Sequence, residues 1–133
     1  NISSLDVGES QIVSLTVIVP LAYSPGNYTL TINASTNNRY DIIDITVNVP
    51  VNTSWTRSPV VFPLLTVGTG STGDVGVISI TNLGNIDLTF KINITGNLSS
   101  NLTANVTELV VNKTGTGYVK INYTTVLFLI NLL

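Results

Sequence analysis

The sequence predicts an all-β protein whose antiparallel strands pack as a sandwich, and three observations carry that prediction. The β-branched residues Val, Ile and Thr number 50 of 133, whereas Ala numbers 3, a balance that favours pleated over helical backbone. No window holds a sustained 3.6-residue apolar stripe. Strict period-two alternation of apolar and polar residues, by contrast, recurs along the chain. The length suits one ordinary domain or two small ones, with a core of useful size in either case.

Taken in order, the chain begins with a turn at Val7-Gly8-Glu9. A strand is expected next, because Val13, Leu15, Val17 and Val19 alternate with Ser14, Thr16 and Ile18 until Pro20 removes a donor. Ser24-Pro25-Gly26-Asn27 carries the Pro-Gly pair of a type II turn. Tyr28, Leu30 and Ile32 then alternate with Thr29, Thr31 and Asn33, and after a polar Asn37-Asn38-Arg39 turn Ile43, Ile45, Val47 and Val49 alternate with Asp44, Thr46 and Asn48. Three strands with one apolar face cannot bury that face alone.

Residues 51–73 read as a connector holding Pro59 and Pro63, with a short apolar run at Leu64, Leu65 and Val67 before a glycine-rich turn. Trp55, the sole Trp, is expected to cover a seam between two β modules rather than to stack on a sugar.

Residues 74–95 are the expected centre. Leu88, Phe90, Ile92 and Ile94 fall on one face and Asp87, Thr89, Lys91 and Asn93 on the other, the pattern of a half-buried strand, while residues 75–81 are apolar on both faces and read as a central strand. Asn82-Leu83-Gly84-Asn85 tolerates positive φ and is expected to close the two into an antiparallel pair. Further strands are expected at residues 105–111, 118–124 and 125–133.

The stretch LDVGESQIVSLTVIVPLAYSPGNYTLTINAS, residues 5–35, resembles the second half of immunoglobulin-like accessory modules of prokaryotic surface proteins and secreted glycosidases. In those modules a Leu-x-x-Gly-Glu-Ser turn, a Val-Pro strand end and a Gly-x-Tyr strand recur. The resemblance covers about a quarter of the chain and implies an immunoglobulin-like sandwich whose motifs are structural rather than catalytic. The opening strands of such a module would precede Asn1. From Leu64 the same order restarts, beginning with a strand, and Leu109 to Thr114 with Val119, Ile121 and Tyr123 looks like a weaker copy of the segment from Leu5 to Val17. The division expected is an incomplete N-terminal module at 1–53 and a C-terminal module at 54–133, with a single sandwich as the alternative.

Composition narrows the function. Five basic and seven acidic residues give a net charge of −2, which lacks the basic patch that nucleic-acid binding requires. Asn, Ser and Thr carry the polar surface instead, which suits an acidic external medium where carboxylates would be protonated. His and Cys are absent, so the usual bases, nucleophiles and transition-metal ligands are missing and no enzyme activity or cofactor is expected. Met is absent too, which implies processing before Asn1: a removed signal peptide or a longer parent chain. Gly68-x-Gly70-x-x-Gly73 spells a dinucleotide fingerprint, but a strand rather than a helix should follow it, so it reads as a turn. Asp41 and Asp44 are too sparse for a calcium loop and read as turn and strand-face residues.

The strongest signal is N-glycosylation. Asn1, Asn27, Asn33, Asn52, Asn93, Asn97, Asn101, Asn105, Asn112 and Asn122 each open an Asn-x-Ser/Thr sequon without an intervening Pro, where composition alone would give about four. Asn33, Asn93 and Asn122 fall on the polar faces of their expected strands, so glycans there should stay in solvent. The last unusual feature is the apolar run Val126, Leu127, Phe128, Leu129 and Ile130. It is far too short to span a bilayer and, being apolar on both faces, needs cover on both.

Glycosylation and unfinished sandwiches together resemble, in type, the subunits of archaeal surface threads and donor-strand pili. The expected function is therefore a structural subunit of an extracellular filament or surface layer that polymerises with copies of itself by head-to-tail β-strand addition, with residues 126–130 at the subunit interface. The alternative is a carbohydrate-binding or spacer module of a secreted enzyme or adhesin, with Trp55 and the tyrosines lining a shallow site.

Overall fold

A computed structural model describes residues 5–124. Asn1 and residues 126–130 lie outside the described residues. The described residues form eight strands: β1 (Gly26–Ser35), β2 (Tyr40–Val49), β3 (Trp55–Ser58), β4 (Thr72–Asn82), β5 (Leu88–Lys91), β6 (Leu102–Ala104), β7 (Glu108–Val111) and β8 (Thr116–Thr124). One 3-10 turn, Ser99–Asn101, precedes β6. All pairings are antiparallel, as the alternating patterns predicted.

β1 and β2 form a hairpin in register from Gly26↔Val49 to Ser35↔Tyr40. Its turn is closed by the Thr36 N–H donating to the Arg39 carbonyl at 2.7 Å. The alternation read from sequence sorts the two faces. On one, the Asn48 amide donates to Asn27 Oδ1 at 2.6 Å and the Thr31 hydroxyl to Asp44 Oδ1 at 2.7 Å. On the other, the register aligns Tyr28 with Val47, Leu30 with Ile45 and Ile32 with Ile43.

The remaining strands make two sheets, one in the order β3-β4-β8-β6 and one pairing β5 with β7. The register places Ile78, Ile80, Val119 and Ile121 on one face of the larger sheet. Opposite them lie Leu88, Phe90, Leu109 and Val111 of the β5–β7 pair, with Thr89, Lys91, Glu108 and Val110 outward. The approach is close at Gly117, where an added Cβ would come within 2.9 Å of the Leu109 and Val111 side chains. Ile80, Val111, Val119 and Ile121 are the buried apolar residues of this sandwich, and the wet and dry faces of the 87–94 stretch match the predicted alternation.

Four expectations are corrected. The segment from Ile12 to Val19 carries no strand, nor do residues 64–67; alternation records a face that needs cover, but a ladder also needs a neighbouring strand with free backbone groups. The supposed connector contains β3, which forms the edge of the larger sheet. Ser24 to Asn27 is not the hydrogen-bonded turn; that turn lies just upstream, with the Tyr23 N–H on the Pro20 carbonyl at 3.0 Å. Most consequentially, β4 and β5 do not pair with one another. They belong to opposite sheets, so Asn82-Leu83-Gly84-Asn85 carries the chain across the sandwich. The glycine-rich stretch turns at Thr69–Gly70, with Gly70 at φ 72°, and leads into β4, which already holds Gly73, so a strand rather than a helix follows as expected.

Candidate assembly surface

The crossing at residues 82–85 is a buried polar knot. Asn82 is fully buried: its side-chain amide donates to the carbonyls of Ile86 at 2.7 Å and Val111 at 3.1 Å, and its Oδ1 accepts from the Gly84 N–H at 2.8 Å. Asn85 accepts the Asn52 N–H on Oδ1 at 2.7 Å and donates from Nδ2 to the Pro50 carbonyl at 2.9 Å. Gly84 is required for close approach, because a Cβ there would run into the Asn52 carbonyl oxygen. Neither Asn takes positive φ, contrary to the reading of this turn from sequence. Satisfied buried amides of this kind fix a unique arrangement. Here they fasten the end of the hairpin to the sandwich, with the Leu83 N–H on Ser54 at 2.8 Å and Lys113 Nζ 3.3 Å from Ser24 Oγ adding two further ties.

Trp55 packs edge-to-face on Phe90, with ring centroids 5.2 Å apart, and so bridges β3 of one sheet and β5 of the other. The contact is between the two sheets of one sandwich, not between two modules as expected, and Trp55 remains half exposed. The register puts Trp55 on the Ile80 face and Tyr118 on the Ser79 face of the same sheet; the two aromatics do not share a platform.

The sequons divide by environment. Asn27, Asn33, Asn93, Asn97, Asn105 and Asn112 are exposed, and Asn52, Asn101 and Asn122 are half-buried. An N-linked sugar is attached at the amide nitrogen, and in Asn101 that nitrogen donates to the Thr124 carbonyl at 3.0 Å. Asn122 departs from its expected solvated position, since its Oδ1 is buried without a partner. Asn52 Oδ1 accepts from both the N–H and hydroxyl of Ser54, the third residue of its own sequon. Thr114, the third residue of the Asn112 sequon, sits at φ 58°, a conformation costly for a β-branched residue.

Two apolar concavities stand out among the described residues. A groove of about 530 Å³ lies at the far end of the larger sheet, walled by Leu65, Val67, Val75, Leu98, Leu102 and Tyr123, and it reaches Thr124, the last residue of β8. A cleft of about 160 Å³ lies over the apolar face of the hairpin, with Val17, Ile18 and Tyr23 on one wall and Tyr28, Leu30 and Val47 on the other. This face stays partly open: Leu30, at the cleft, is 41% exposed and Ile43, beyond it, 60%.

Among the described residues no group of three or more His, Cys, Asp or Glu side chains could hold a metal ion. Asp41 and Asp44 instead accept local hydrogen bonds from the Ile42 N–H and the Thr31 hydroxyl. No helix of the described residues is long and apolar enough to cross a membrane. No protein family, curated protein or solved structure matches the chain.

Proposed function

We propose that this chain is a structural subunit of an extracellular, N-glycosylated filament or surface layer, immunoglobulin-like in type, that polymerises with copies of itself by head-to-tail β-strand addition and has no catalytic role. The observation that carries the reading is the opposed surface of the β1–β2 hairpin. Its polar face bears the exposed sequons Asn27 and Asn33, whereas its apolar face is left partly uncovered. A monomer gains nothing from exposing that face, and contiguous exposed apolar surface marks an interaction site. Each hairpin strand is paired on one side only among the described residues, leaving backbone groups available for an added strand.

The carbohydrate-binding reading is weaker, because Trp55 is engaged by Phe90 and Tyr118 lies on the opposite sheet face. Negative-stain electron microscopy of the native protein distinguishes the two. Filaments or ordered sheets are expected; isolated particles that bind polysaccharide would favour the module.

A further inference from the structure

The assembly reading leaves open which strand edge receives a partner. We infer that the acceptor is the open edge of β2, that N-glycans close the edge of β1, and that the occupant is a second copy of this chain, contributing residues 126–130 as the added strand. This inference rests on the assembly reading and adds the acceptor edge.

An added strand pairs with free backbone, so its acceptor must be a strand edge. Among the described residues β1, β2, β3, β5, β6 and β7 each have an open side. β3, β5 and β7 hold four residues each and β6 three, a short grip for backbone pairing. Exposed sequons also crowd three of them: Asn93 lies just beyond β5, Asn105 directly follows β6 and Asn112 directly follows β7. The two ten-residue strands of the hairpin remain.

Glycans separate these two. β1 carries the exposed sequons Asn27 and Asn33, and a bulky sugar on either crowds a strand laid along that edge. β2 carries no sequon, since Asn48 is followed by Val49 and Pro50. Its two carboxylates are engaged within the hairpin: Asp44 Oδ1 takes the Thr31 hydroxyl of β1 at 2.7 Å, and Asp41 Oδ1 takes the Ile42 N–H at 2.9 Å. One edge of the hairpin is guarded and the other is left open.

Side-chain chemistry selects the occupant. β1 alternates strictly, with Asn27, Thr29, Thr31 and Asn33 on one face and Tyr28, Leu30 and Ile32 on the other. β2 does not. Ile43 and Ile45 lie on the apolar face of the hairpin, but Tyr40 and Ile42 lie on its polar face, opposite Ser35 and Asn33. Tyr40, Ile42 and Ile43 are all exposed. A neighbouring strand that covers both sets must itself be apolar on both faces. Residues 126–130, Val-Leu-Phe-Leu-Ile, meet that requirement and carry no charge.

Relocating glycans tests the edge. Asp44→Asn turns residues 44–46 into Asn-Ile-Thr, a sequon on the exposed polar face of β2. With the new site shown to be occupied by mass spectrometry, this variant should lose filaments in electron micrographs and stay monomeric by light scattering. Asp44→Asn combined with Thr46→Ala makes the same loss of charge without a sequon and should assemble as the unaltered chain does. Thr29→Asn moves a sequon within β1, from residue 27 to residue 29, and should also assemble. Filaments from the glycosylated Asp44→Asn chain, or their loss in the double variant as well, overturn the β2 edge.

A second readout needs no glycan. The chain has no cysteine, so Phe128→Cys can be combined with Ile42→Cys or with Ile43→Cys, one for each face of β2. One of these pairs should oxidise to a ladder of covalent multimers, whereas Phe128→Cys with Ala34→Cys on β1 should not. A ladder from the β1 pair alone overturns the acceptor edge. A disulfide confined to one chain overturns the second-copy occupant. A covalent dimer formed by Ile42→Cys or Ile43→Cys without Phe128→Cys means that β2 pairs with β2, and overturns the added strand. If the unaltered chain itself never assembles, the assembly reading fails first.

Discussion

Asn52 and Asn85 clasp one another reciprocally: the Asn52 N–H donates to Asn85 Oδ1 at 2.7 Å, and the Asn85 N–H returns a bond to the Asn52 carbonyl at 3.0 Å. With Asn85 Nδ2 on Pro50, this pair ties the hairpin to the sandwich. Removing the side chain orphans two part-buried backbone groups, each costing about 1 to 3 kcal/mol when left unsatisfied and nearer the lower figure where water can reach it. Asn85→Ala should therefore lower unfolding stability by about 2 to 4 kcal/mol in urea titrations. Asn48→Ala, which breaks only an exposed side-chain bond to Asn27, should cost under about 0.5 kcal/mol.

Gly84→Ala makes a sharper test of the same crossing. A single methyl group would collide with the Asn52 backbone, and backbone cannot move aside as a side chain can. The expected loss is about 2 kcal/mol or more, in the range typical of overpacking. Gly8→Ala, in an open turn where only positive φ opposes the change, should cost about 1 kcal/mol.

Phe90 and Lys91 are neighbours on β5 with opposite environments. Phe90→Ala removes the ring under Trp55 and should cost about 3 kcal/mol, at the low end for a phenylalanine because the side chain is only half-buried. Lys91→Ala removes an exposed residue opposite Glu108 and should cost under about 1 kcal/mol. Trp55 fluorescence reports both unfolding transitions, and equal losses would contradict the assigned faces.

At least half of the ten sequons should carry glycans in native material, with the exposed sites Asn27, Asn33, Asn93, Asn97, Asn105 and Asn112 most fully occupied. Asn101 and Asn122 should be least occupied, because one amide nitrogen is held by the Thr124 carbonyl and the other side chain has its oxygen buried. Site-resolved mass spectrometry checks this. Fewer than three occupied sites would remove the argument for an extracellular coat.

The all-β class, the hairpin alternation and the wet face of the 87–94 stretch were legible because period two is local: each residue's face follows from its neighbours two positions away. Strand partners were not. Val13, Leu15 and Val17 alternate as well as Ile43, Ile45 and Val47 do, yet only the second set forms a strand, since pairing depends on what lies alongside. The 82–85 crossing was misread for a related reason. Asn-Leu-Gly-Asn has the composition of a hairpin turn, and only tertiary contacts reveal that its amides reach Pro50, Ile86 and Val111. One clue was present. Asn82 and Asn85 are among the few Asn residues outside sequons, and among the described residues they are the two Asn that are buried. The proposed donor segment, residues 126–130, is conspicuous in sequence, whereas the partly open apolar face of the β1–β2 hairpin emerges only from strand register and burial.

The most direct measurement of the central claim is electron microscopy of the glycosylated chain with and without residues 125–133. The intact chain should form filaments or sheets, and the shortened one should remain soluble, glycosylated and dispersed as single particles. Filaments that persist without these residues would contradict the account, because its donor strand would then be dispensable.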